Sequence, residues 1–115
     1  MGMIALTNSC RYFVYQEFCN MRMSFNGLGG LVNNHMDANL LSGDIFIFIN
    51  RRKNQCKLLR YCDDGFELYH KKLTKGTFEV PASGEIEVFQ LQLMLSGIVV
   101  DKFKKKDRFY LKNVG

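Results

Sequence analysis

The stretch that decides the fold runs from Gly43 to Pro81. It opens with Gly43-Asp44-Ile45-Phe46-Ile47-Phe48-Ile49-Asn50 and continues through Arg51-Arg52-Lys53-Asn54. Gln55-Cys56-Lys57-Leu58-Leu59-Arg60-Tyr61-Cys62 follows, then Asp63-Asp64-Gly65. Phe66-Glu67-Leu68-Tyr69-His70-Lys71-Lys72-Leu73 and Thr74-Lys75-Gly76-Thr77-Phe78-Glu79-Val80-Pro81 complete it. Runs of β-formers alternate with turn residues, the pattern of a β-meander. In the first strand Ile45, Ile47 and Ile49 face one way and Phe46 and Phe48 the other. A strand apolar on both faces is either central and covered on both sides or part of a strongly curled sheet.

Outward from this core, residues 11–18 read as a first strand at a sheet edge. Residues 24–36 read as a helix, with Phe25, Leu28, Leu31, Val32 and Met36 on one face and Ser24 as cap. Gly27, Gly29 and Gly30 weaken that helix, since each costs about 1 kcal/mol relative to Ala. Their use is expected to be close approach of the helix to the sheet. Gly27 and Gly29 begin a Gly-x-Gly-x-x-Gly phosphate-loop pattern, but Val32 stands at the third site. Thr77–Val80 reads as a short strand and Glu85–Val88 as a brief pairing segment. A second amphipathic helix is marked by Val88, Leu91, Leu95 and Ile98 and stops near Gly97. The expected class is α+β: an antiparallel β-meander sheet of about four to six short strands with two amphipathic helices. Residues 1–100 form a single domain, and residues 101–115 form a basic C-terminal tail whose aromatics can dock on the body.

The chain has 115 residues and a formal net charge of +5. Residues 101–115 hold six Lys/Arg against Asp101 and Asp107, so the body is close to neutral. No apolar run reaches the roughly 18–20 residues of a membrane span, and no signal peptide is visible. The four cysteines show no Cys-x-x-Cys spacing, and with two histidines they assemble no zinc pattern. The expectation is a cytoplasmic protein with free thiols, no cofactor, no metal, no membrane association and no small-molecule substrate.

A meander reverses at each turn, so its charges sort by end. Lys71, Lys72 and Lys75 return beside Arg51, Arg52, Lys53 and Lys57, because adjacent strands lie about 4.8 Å apart. Asp44, Asp63, Asp64 and Glu67 gather at the other end, with Arg60 the exception among them. A cluster of cations releases counterions from nucleic acid, and Tyr69 and His70 could stack on a base. The bland alternative is a solvated hairpin end that keeps a sheet edge soluble. An enzyme would need Asp63, Asp64 and Glu67 to hold a cation as in a metal-dependent nuclease, or His70 to activate Cys56 or Cys62. Asp-Asp-Gly between two β runs is hairpin chemistry first.

Further residues carry a family resemblance. Asn20-Met21-Arg22-Met23-Ser24-Phe25-Asn26-Gly27-Leu28 resembles an Asp-Met-Arg-Lys-Ser-Phe-Asp-Gly-Leu motif. Ser42–Phe48 with Asn50-Arg51-Arg52 is similar to a second block. Lys57-Leu58-Leu59, Asp63, Gly65–Tyr69 and Lys71-Lys72-Leu73 match a third, and Gly76-Thr77-Phe78, Pro81, Leu91, Leu95 and Gly97 complete the set. These blocks span residues 20–100. They resemble the accessory protein of the IS-sixty-six insertion sequences, the small second-reading-frame product called TnpB or Orf2-like. Asn20 and Met23 replace the motif's Asp and Lys, and Tyr61, Tyr69 and Val80 stand at positions usually Trp. The resemblance implies an accessory to transposition, encoded beside a separate transposase, with no catalytic activity of its own. It adds Arg22 to the cations worth testing, together with Arg51, Arg52, Lys71 and Lys72. The expected partners are DNA, and the transposase or another element-encoded accessory protein. Arg22 has no place predictable from sequence, and capping or pairing near the first helix is its bland role.

Overall fold

The computed structural model describes residues 5–96. Ile98 and the basic tail therefore lie outside the described residues. In chain order the elements are β1 (Tyr12–Val14), α1 (Phe25–His35), β2 (Ile45–Ile49), β3 (Gln55–Cys62), β4 (Gly65–Lys72), β5 (Gly84–Ile86) and α2 (Val88–Ser96). The strands form one sheet in the order β4-β3-β2-β1-β5.

The α+β class holds, but the sheet is mixed. The β2–β3, β3–β4 and β1–β5 pairs are antiparallel, as a meander requires, while β1 runs parallel to β2. Parallel neighbours need a crossover of a dozen or more residues. The segment between β1 and β2 supplies it and contains α1. This corrects the expected edge position of the first strand. Only Tyr12–Val14 pair, and they sit inside the sheet between β2 and β5.

β2 is the centre of the molecule. All five of its residues are at most 3% exposed. Ile45, Ile47 and Ile49 share a buried cluster with Leu91 and Met94 of α2, and Phe46 and Phe48 share one with Leu28 and Val32 of α1. The sheet is thus a middle layer with one helix on each face. Full burial of each such side chain is worth roughly 1.5–3 kcal/mol, so this strand supplies a large share of the driving force.

The helices form as their periodicity predicts, with local differences. Ser24 occupies the N-cap of α1, but its side chain makes no cap hydrogen bond. A Cβ on Gly29 would lie 3.0 Å from Leu40 Cδ2, and one on Gly27 would lie 3.0 Å from Met23 Cε. Gly27 and Gly29 therefore admit the flanking loops, not the sheet as expected, and Gly30 has open space where a Cβ would stand. In α2 the buried residues are Leu91, Leu93 and Met94.

Thr77–Val80 does not pair as a strand. Phe78 instead folds into the α2-side core at 2% exposure and donates its N–H to the Lys53 carbonyl at 2.7 Å. Burying one large ring outweighs the few ladder bonds a short outer strand would add.

Candidate nucleic-acid interface

The β2–β3 turn is held from inside by an uncharged side chain. Asn50 Oδ1 accepts the backbone N–H groups of Asn54 at 3.0 Å and Gln55 at 2.9 Å. Its Nδ2 donates to Asn54 Oδ1 at 2.7 Å. Lys53 closes the turn at φ 60° and donates its N–H to the Asn50 carbonyl at 2.9 Å. With the turn satisfied internally, Arg51, Arg52 and Lys53 are all exposed.

β4 returns to this turn in the expected register. Gln55 pairs with Lys72, Cys56 with Lys71 and Lys57 with His70. Leu73 N–H donates to the Asn54 carbonyl at 2.8 Å. Exposed Lys72 thus lies at the same sheet end as the turn, and exposed Lys75 follows three residues on.

Two of the expected cations have other work. Lys57 is only 6% exposed. Its ammonium donates to the Met21 carbonyl at 2.8 Å and the Met23 carbonyl at 2.6 Å. Strand alternation sends Lys71 to the opposite face, where its ammonium donates to the Leu95 carbonyl at 2.8 Å. A cation at the last carbonyls of α2 also complements the helix dipole.

The Lys57 bonds decide where Arg22 goes. They tie residues 21–23 to β3, and Cys19 N–H donates to the Ile49 carbonyl at 2.9 Å. Arg22 is thereby brought to the turn, where it lines an open cleft of about 680 Å³ together with Arg51 and Arg52. Phe18, Asn20, Asn50 and Gln55 are also in the wall, and among the described residues no carboxylate is. The Arg51 guanidinium stands 5.6 Å from the Phe18 ring centroid. Among the described residues the ion pairs are Arg11–Glu85 and Arg60–Glu67, so none of the cleft arginines is neutralised by one.

His70 sits beside this cluster, with Nε2 and Gln55 Oε1 at 2.9 Å. Its pKa is lowered from the ordinary value by partial burial, then by the charges of Lys57 and Lys72. Phe18 and the amide residues were missed by sequence reasoning. Phe18 was assigned to a strand that ends at Val14. Asn50 carried a usable signal, since Asn before a short turn bonds backbone amides ahead of it.

At the other end Asp63 and Asp64 form a two-residue hairpin turn with φ 52° and 64°. Both central residues at positive φ mark the primed turn that matches strand twist. Glu67 pairs with Arg60 at 2.8 Å, and Asp44 Oδ1 accepts the Arg11 N–H at 2.9 Å. Among the described residues no three His, Cys, Asp or Glu side chains gather as a metal site would need. Burial pushes the Cys56 thiol up to about 12, away from the reactive thiolate.

Fold and cleft together define a small mixed-sheet α+β protein with an arginine-lined recess at one end of its sheet. The family model for IS66 Orf2-like proteins matches residues 10–105, and the chain belongs to that family. The match confirms the resemblance over residues 20–100 and extends it on both sides. It makes the chain a member of an insertion-sequence accessory family. No curated protein and no solved structure matches the chain. Among the described residues no helix is long and apolar enough to cross a membrane.

Proposed function

We propose that this chain assists transposition without catalysing a step, working in the cytoplasm by binding DNA through the basic end of its sheet. The supporting observation is the meeting of Arg22 with Arg51 and Arg52 around a cleft whose wall, among the described residues, carries no carboxylate. Lys53, Lys72 and Lys75 are exposed at or beside the same end and extend the positive surface. Lys57 and Lys71 act from within, positioning the Arg22 loop and the end of α2. Fluorescence anisotropy with labelled DNA, both as a duplex and as a single strand, at graded salt tests this reading. Binding is expected at about 50 mM salt, with a slope of log affinity against log salt of about −3 to −5. Absence of binding at that salt overturns it.

A second reading, an adaptor that docks the transposase, draws on the opposite end. Phe66 lies 6.4 Å from Phe25 and 5.1 Å from Tyr61, ring centre to ring centre. Phe25 is 43% exposed and Phe66 is 37% exposed, beside the Asp63–Asp64 turn. Exposed aromatic patches favour protein partners. Co-purification with the transposase of the same element, lost on Phe66→Asp, is the outcome this reading expects.

A further inference from the structure

Surface cations alone would serve any polyanion, but the cleft is built differently from the surface around it. Among the described residues its wall carries three arginines and no lysine, and Lys53, Lys72 and Lys75 are not part of it. Arginine is the cation that stacks on planar groups and makes paired hydrogen bonds. Phe18 stands at the rim, 44% exposed, with the Arg51 guanidinium 5.6 Å from its ring centroid. Ring and guanidinium together form a platform for another flat group. Among the described residues the side-chain amides of Asn20 and Gln55 make no hydrogen bond through their nitrogens, so both keep N–H donors for a base edge. The cleft volume of about 680 Å³ falls within the roughly 300–1,000 Å³ of pockets that enclose small ligands. In a duplex, base faces are stacked inside the helix and are not available to such a platform.

We propose that this cleft takes an unstacked nucleotide, so that the protein prefers single-stranded over duplex DNA. The nucleotide's base stacks on the Phe18–Arg51 platform, and Arg22 and Arg52 hold the adjoining phosphates. The exposed lysines outside the cleft follow the strand's backbone. This inference rests on the DNA-binding reading above and deepens it.

The test is anisotropy with a labelled single strand of about 12 nucleotides and with its duplex, at about 50 mM salt. Three proteins are compared: the full chain, Phe18→Ala, and Lys72→Ala/Lys75→Ala. The unmodified chain should favour the single strand by tenfold or more. Phe18→Ala should weaken single-strand binding on the order of tenfold, the usual cost of losing one base–aromatic stack. Its duplex affinity should stay within twofold, and Phe18→Tyr should restore the preference. The double lysine variant should weaken both ligands to the same degree. Equal affinity of the unmodified chain for strand and duplex overturns the inference and leaves DNA binding standing. So does an equal loss on both ligands for Phe18→Ala. Binding to neither ligand overturns both. Phe18 is partly exposed, and a far-ultraviolet spectrum matching the parent identifies a folded variant.

Discussion

Lys57 is the residue on which the site turns. A buried ammonium is tolerated only when it is hydrogen-bonded, and here two backbone carbonyls do that work in place of a carboxylate. The arrangement leaves the positive charge unneutralised while fixing the loop that carries Arg22. Lys57→Met would keep much of the apolar stem and strip both carbonyls of their donor. The expected loss is about 1–3 kcal/mol of folding stability, read by urea denaturation. DNA affinity should fall as well, because Arg22 is no longer held at the turn. His70 gives a second residue-scale prediction, in pH. Its folded pKa lies below the ordinary value of 6.5, so the unfolded chain binds more protons in the window just below that value. Its contribution to stability is therefore present above about 6.5 and is lost as pH falls through the window. Bound phosphates would act in the opposite sense, favouring protonated His70, so affinity for DNA should rise as pH falls through the same range. His70→Gln should flatten both profiles, measured as denaturation midpoints and as dissociation constants between about pH 5.5 and 8.

At the scale of elements, the glycines of α1 separate two effects that composition alone confounds. Gly30 has open space where a Cβ would stand, whereas on Gly29 the Cβ would press on Leu40. Gly30→Ala should stabilise the protein by about 0.5–1 kcal/mol through helix propensity alone. Gly29→Ala should gain less or lose stability, as thermal melts of the two variants would reveal. The hairpin and the central strand were legible in the sequence for local reasons. Asp-Asp-Gly between β runs sets a two-residue turn, the turn sets the β3–β4 register, and alternating Ile and Phe set both faces of β2. β1 was not legible in the same way. A three-residue strand has too little pattern to declare its neighbours, and its parallel partner is reached only across a long crossover. Phe78 was misjudged because β propensity does not say whether a ring prefers a sheet edge or a core. Arg22 lay beyond sequence reasoning because its place depends on Lys57, more than thirty residues away in the chain. The family motif contained both residues without revealing that they act together.

For the whole molecule, the strands carry charge of opposite sign to opposite ends. The arginine cleft and exposed lysines occupy one end, and the Asp63–Asp64 turn and the Phe25–Phe66 patch occupy the other. In the function proposed above, one end engages a polyanion while the other stays free for a protein. Arg51→Glu/Arg52→Glu should reduce DNA affinity more than tenfold at about 50 mM salt and shallow the salt slope by about 2. Because both side chains are exposed, folding stability should move by no more than about 0.5 kcal/mol. Transposase co-purification should survive this change if the aromatic end is the docking surface.

The bond from Lys71 to the Leu95 carbonyl has a consequence for the second helix. It fastens the last turn of α2 to β4, on the sheet face opposite the one where Lys57 holds residues 21–23. Two neighbouring strands thus each send one ammonium to backbone carbonyls, one on each side of the sheet. The loss of either cation would loosen one covering layer and leave the other in place.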